Sequence, residues 1–298
     1  MLSAGYASAS PIVTSWVHDE ISDASASYIA RLRAPGALLG LELPVLPEVA
    51  QSVWLELERP NGDARLLANI LRRDAAFAAH ILRHANSPVY SGRTPITSLQ
   101  QAVSRLGVRT LGEITVLVAC KTRAFQVRGH EQEVRDIFSH SLLSALWARE
   151  VARMRRLDVD SSFLGGLLHD VGRPTLIQAL VDLSAQPGAL CLSSSELLVV
   201  VSDLHVEVGA AILAAWKIPE RITLAVREHH RTDFADLPPE CAVLALADLL
   251  AHGGDADREL HARASAHPAT VALNLYPEEV DVLLAKQPHL RDQARALL

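Results

Sequence analysis

The sequence predicts an all-α protein, and three features carry that expectation. Aromatic residues make up only 4% of the chain while alanine and leucine abound, which favours helices packed through small and aliphatic side chains over aromatic-rich sheets. Apolar residues recur at helical spacing in one segment after another. Proline, glycine and short polar residues fall between those segments, where helices start and stop. At 298 residues, 49% hydrophobic and 21% charged, the chain is long enough for one large domain or two smaller ones.

Composition also narrows the function. A net charge of -6 gives no general attraction to nucleic acid or anionic lipid. There is no run of eighteen apolar residues and no basic stretch leading into an apolar core, so neither a membrane span nor a secretion signal is expected. Cys120, Cys191 and Cys241 form no CxxC pair and read as reduced core thiols. The expected location is cytoplasmic.

Residues 1–36 read as a helical or partly ordered extension closed by Pro35-Gly36. Pro47 suits the first turn of a helix through Val49, Val53 and Leu57. Asn61-Gly62-Asp63 turns the chain and caps the next helix. Leu67, Ile70, Leu71, Phe77, Ile81 and Leu82 are at helical spacing but interrupted by Arg72-Arg73-Asp74, predicting two helices with Asp74 capping the second. Such a pair could be a helix-turn-helix with Arg72, Arg73, Arg83 and His84 on phosphates. The aliphatic second helix instead favours ordinary packing with a solvated arginine edge. Leu99, Ala102, Val103 and Leu106 mark another helix stopped by Gly107. Ile114 to Cys120 is read as buried helix, because no alternation or partner strand accompanies it.

Asp74 to Leu106, with Leu82-Arg83-His84-Ala85-Asn86-Ser87-Pro88-Val89-Tyr90 followed by Ile96, Ser98, Gln101-Ala102 and Leu106-Gly107, resembles the N-terminal helical half of the HDOD family. That family is a branch of the HD-domain superfamily usually linked to bacterial signalling. The resemblance continues through His169-Asp170 to His230. It implies a multi-helix HD-superfamily bundle with an N-terminal helical subdomain, with 37–233 as the HDOD domain and 234–298 as a C-terminal helical segment completing the core.

The segment Leu164-Gly165-Gly166-Leu167-Leu168-His169-Asp170-Val171-Gly172-Arg173 places two metal-ligand types where an apolar helix breaks. A buried carboxylate needs a partner or a cation, so Asp170 should have one. Asp160 is the expected cap of that helix. Gly165 and Gly166 leave one face bare, open to close approach by another backbone or a ligand. His140 shares the inward face of a helix carrying Leu143, Leu146, Trp147 and Val151. Ser193 to Glu196 form a capping box, after which His205 leads Val208, Gly209, Ile212 and Trp216. A helix opened by Pro219 ends in His229-His230, and Asp248 follows Leu244 and Ala245 by one turn.

Imidazoles and carboxylates on apolar faces are the ligand set for Fe, Mn, Zn or Mg, as one ion or two. Two ions about 3.5 to 4 Å apart would activate water and favour in-line displacement at phosphorus. Taken singly, each of the thirteen histidines is more often a core or surface residue. The family resemblance groups several of them. It assigns His140, His169, Asp170 and Asp248 as metal ligands and aligns His205, His229 and His230 with the further histidines of binuclear members. Asp170 and Arg173 are the candidate catalytic residues, with Arg173 gripping a phosphate. His18, His80, His84, His130, His252, His261, His267 and His289 are taken as structural or solvated.

Two departures from related hydrolases weigh on activity. Arg173 stands where they often place lysine. Arg231-Thr232-Asp233-Phe234 follows His229-His230 in place of a Gly-Tyr-Pro segment, which disfavours a cyclic-dinucleotide substrate. The resemblance implies a signalling protein that binds a ligand, a metal and regulatory proteins without efficient turnover. The alternative is a metal-dependent phosphohydrolase acting on a nucleotide or other phosphoester. Nucleic acid and membrane are disfavoured as partners, and the oligomeric state is left open. Val271 to Leu284 reads as a lid on the core, with a docking face as the alternative.

Overall fold

The computed structural model describes residues 22–34, 43–44, 47–57, 59, 63–87, 89–90, 94–119, 127–187, 192–254 and 259–297. Among them every regular element is a helix, as composition and spacing predict. The bend at 35–36, the turn at 61–62, and Cys120 and Cys191 lie outside the described residues.

The N-terminal part comprises α1 (Asp23–Arg33), α2 (Glu48–Leu57), α3 (Ala64–Leu71), α4 (Ala75–Ala85) and α5 (Leu99–Ala119). Asp63 and Asp74 cap α3 and α4 by accepting the amides of Arg65 and Phe77, as their sequence positions indicate. α4 buries Phe77, Ile81 and Ala85, so it is a packing helix with an exposed Arg72-Arg73 edge. Asn86 clamps the loop that follows. Its amide donates to the Leu82 and Ile96 carbonyls, and its carbonyl accepts from the Ile96 amide at 2.7 Å. At Gly107 the backbone takes φ 83° inside α5, a conformation L side chains resist. The helix therefore kinks there and resumes through the buried run Ile114–Ala119.

The second part is built on α6 (Glu131–Arg155), α7 (Val159–Leu168), α8 (Gly172–Ser184), α9 (Ser194–Ala215), α10 (Glu220–Glu228) and α11 (Pro239–His252). α7 begins at Val159 and its cap is Asp158, which accepts from the Ser161 amide at 3.0 Å. The predicted cap, Asp160, instead sits in the first turn, where a negative charge suits the helix dipole, and pairs with Arg109. The capping box of α9 forms as expected between Ser193 and Glu196. α9 is long and apolar enough to cross a membrane by length and composition alone. It packs against α1, α8 and α10.

Two bare glycine faces set the helix spacing. A Cβ on Gly166 would lie 2.5 Å from the Ala145 Cα, so α7 and α6 touch backbone to backbone. A Cβ on Gly172 would overlap the His205 carbonyl and lie 2.7 Å from the Gly209 nitrogen, so the start of α8 is seated directly on α9. Gly165 is in ordinary contact only.

The remaining helices are α12 (Leu260–Ala266), α13 (Pro268–Ala272), α14 (Pro277–Leu284) and α15 (Gln287–Leu297). Leu273, Leu275, Val280 and Leu283 are buried while Val271, Tyr276 and Val282 are exposed. The segment is therefore a lid with a partly apolar outer surface.

The two halves meet at a buried ion pair. Arg149 of α6 contacts Glu113 of α5 at 3.1 Å and lies 4.2 Å above the Phe163 ring of α7. Burial lifts the Glu113 carboxyl to about 7, with Arg149 opposing. A carboxyl raised in the fold stabilises it fully below its unfolded pKa, and that contribution is lost as pH rises from about 4.5 through 7. The loss amounts to about 3 kcal/mol. Relative to wild type, Glu113→Gln should gain up to that amount between pH 4 and pH 8, over and above what leaving Arg149 without a charged partner costs it at both. Denaturant titrations at the two pH values read this directly.

Candidate metal centre

His140 of α6, His169 and Asp170 in the α7–α8 turn, Arg173 of α8, His205 of α9, His229 and His230 at the end of α10, and Asp248 of α11 all converge on one interior place. The His140 Nε2 is 2.8 Å from the Asp248 Oδ1, and the His169 Nε2 is 3.3 Å from that same oxygen and 3.5 Å from the Asp170 Oδ2. The Asp170 Oδ1 is 3.5 Å from the His205 Nε2, which in turn lies 3.1 Å from the His230 Nε2. Three sets of donor atoms each fall within 4.8 Å: His140, His169 and Asp248; His169, Asp170 and His229; His205, His229 and His230. His140, His169, Asp170, Arg173, His205 and His229 are buried, Asp248 sits at the edge of burial, and His230 is exposed.

The helices orient the imidazoles in one way. His169, His205 and His229 each direct Nδ1 at the carbonyl three residues back, on Gly166, Ser202 and Val226, at 2.8, 2.7 and 2.6 Å. A carbonyl can only accept, so each Nδ1 carries the proton. Each Nε2 is thereby turned toward the pocket, the arrangement that raises the basicity of a metal-binding imidazole and fixes its orientation. Burial and the neighbouring His230 hold His229 neutral, at about 3. Burial and Arg173 hold His205 well below its usual range. Both therefore offer a lone pair at Nε2, and that of His229 has no hydrogen-bond partner. His140 is lowered to about 4 by burial and by His252.

The acidic groups set the charge. Burial opposes ionisation of Asp170, but Arg173 and His169 hold it well below the carboxylate range. Asp248 is likewise depressed, chiefly by His252. Burial works against a charged His169, yet Asp170 and Asp248 lift it to about 9. Without a metal, a proton on His169 thus adds to the charge of Arg173 in balancing the carboxylates around it.

Two residues depart from the sequence reading. His252, taken as structural or solvated, closes the His140 side. Its Nδ1 donates to the Asp248 backbone carbonyl at 2.9 Å and lies 3.3 Å from the Oδ1, and its ring is 4.1 Å from that of His140. The available signal was its position one helical turn after Asp248. Arg173, assigned to a phosphate, points at Asp170: its Nε is 2.6 Å from the Oδ1, with both side chains buried.

The HDOD domain family model matches residues 43–232. The chain belongs to the HDOD family. Solved structures share the HDOD fold at low identity. An HDOD domain protein of unknown function from Geobacter sulfurreducens is 24% identical with a TM-score of 0.68, covering 90% of this chain and 98% of its own. A conjectured metal-dependent phosphohydrolase from Shewanella amazonensis SB2B is 22% identical with a TM-score of 0.71, covering 92% and 100%. A conjectured signal transduction protein from Marinobacter aquaeolei VT8 is 23% identical with a TM-score of 0.62, covering 93% and 68%. An uncharacterized protein of Treponema pallidum (strain Nichols) is 22% identical over 220 residues, which span 70% of this chain and 42% of that protein. The HDOD chain therefore matches less than half of that relative.

Proposed function

We propose that this HDOD protein is a signalling component that holds a divalent metal ion in its interior pocket and works by binding, with regulatory proteins as partners and without efficient turnover. The observation that carries the metal reading is the shared orientation of His169, His205 and His229, whose Nδ1 atoms are committed to helix carbonyls, leaving Nε2 for the pocket, where that of His169 lies between Asp170 and Asp248. Neutral imidazoles with carboxylates suit Mn, Fe, Zn or a similar ion. His140, His169 and Asp248 would hold it, with Asp170 beside them. When bound, such an ion supplies Lewis acidity and activates water.

The phosphohydrolase reading draws on the same donors and on the conjectured activity of the Shewanella protein. The inward turn of Arg173 counts against it, because the cation assigned to a phosphate is engaged by Asp170. Phosphatase and phosphodiesterase assays with added Mn²⁺, on wild type and Asp248→Asn, separate the two readings. No metal-dependent turnover is expected from either protein. Turnover present in wild type and absent in the variant would establish the hydrolase.

His252 gives a sharper prediction. Groups that orient metal ligands typically contribute 10- to 100-fold to metal affinity. His252→Phe keeps a ring beside His140 but loses the donor to Asp248, and should weaken Mn²⁺ binding by about that range. His252→Asn, which keeps a short side-chain donor, should recover much of it. Calorimetric titration of the three proteins is the check.

A further inference from the structure

We infer that Arg173 is a built-in cation standing where a second metal ion would otherwise bind, so that the pocket takes one divalent ion per chain. The inference rests on the metal-holding reading above and specifies its stoichiometry. Asp170 turns one oxygen to each donor group: Oδ2 lies 3.5 Å from the His169 Nε2 and Oδ1 lies 3.5 Å from the His205 Nε2. A carboxylate so placed could bridge two ions.

The Oδ1 side is already filled. The Arg173 Nε is 2.6 Å from that oxygen and an Arg173 terminal nitrogen is 3.5 Å from the His205 Nε2. An ion ligated by both would need to lie about 2.0 to 2.2 Å from each, in the space the guanidinium edge occupies. Arg173 is not free to swing away. It sits in the first turn of α8, three residues from Asp170, and Gly172 pins that turn against the His205 carbonyl and the Gly209 nitrogen. A dication among His205, His229 and His230 would thus lie close to a fixed positive charge in a buried setting, where repulsion is weakly screened. His140, His169 and Asp248 lie on the far side of Asp170 from this contact, and the residue closing that side is His252.

The full-length chain, dialysed against Mn²⁺ and analysed for bound ion, should hold one ion, with the spin-resonance signal of isolated Mn²⁺. Arg173→Gln removes the charge and keeps side-chain N–H donors. It should take up a second ion, with second-site affinity raised about 100-fold or more and a spin-coupled pair appearing. Two coupled ions in wild type would overturn the inference, as would a folded Arg173→Gln that stays at one. No ion in wild type would overturn the metal reading itself, and this inference with it. Should Arg173→Gln fail to fold, the wild-type count and coupling decide alone.

Discussion

Replacing Gly172 by alanine is expected to destabilise the protein by about 3 kcal/mol, the upper part of the usual range for forcing atoms into a packed interior. The added methyl would overlap the His205 carbonyl and crowd the Gly209 nitrogen, and both obstacles are backbone. Neither can rotate away as a flexible side chain would, so α8 and α9 must separate. Their separation would draw His205 away from Asp170, which it faces at 3.5 Å. The variant should therefore lose stability. Gly165→Ala, whose new Cβ would meet only ordinary contacts with Leu244 and Ile222, should change stability far less. Denaturant unfolding of the two variants against wild type checks the contrast.

Asp170→Ala has the second large effect. Asp170 and Arg173 are buried together. Removing one member of a buried ion pair leaves the other charge uncompensated, at a cost of about 3 to 5 kcal/mol. The apo protein should therefore be destabilised by that amount. The double variant Asp170→Ala/Arg173→Met, which removes both charges and keeps an apolar stem, should regain most of it. A thermodynamic cycle over the four proteins without metal measures the coupling. If the double variant were no more stable than Asp170→Ala, Arg173 would not be the group left stranded.

The helical skeleton was legible because its signals are local. Asp63 and Asp74 cap, Gly107 breaks, and Ser193 pairs with Glu196, each through contacts within a few residues. The same locality explains the misplaced cap of α7: Asp158 and Asp160 are both good caps, and the hydroxyl and amide that Ser161 offers Asp158 decide between them. Convergence of the imidazoles was legible only through the order of motifs in the HDOD family, since nothing within a single helix tells which distant helix its apolar face will meet.

Arg173 and His252 show where such reading stops. Spacing places Arg173 three residues after Asp170, but whether a guanidinium turns outward to a ligand or inward to a carboxylate depends on what surrounds it in three dimensions. Here α9 and α8 close over it. His252 follows Asp248 by one turn of α11, a spacing readable in the sequence. Its role depends on the adjacent His140 ring, which comes from a helix more than a hundred residues earlier.

That the histidines and carboxylates of separate helices form one ion-binding pocket is tested most directly by counting Mn²⁺ bound to wild type and to Asp248→Asn after equilibrium dialysis, with helix content measured on both. The geometry predicts one ion per wild-type chain and its loss from a variant of unchanged helicity. Wild type without an ion, or the same count in both proteins, would contradict it.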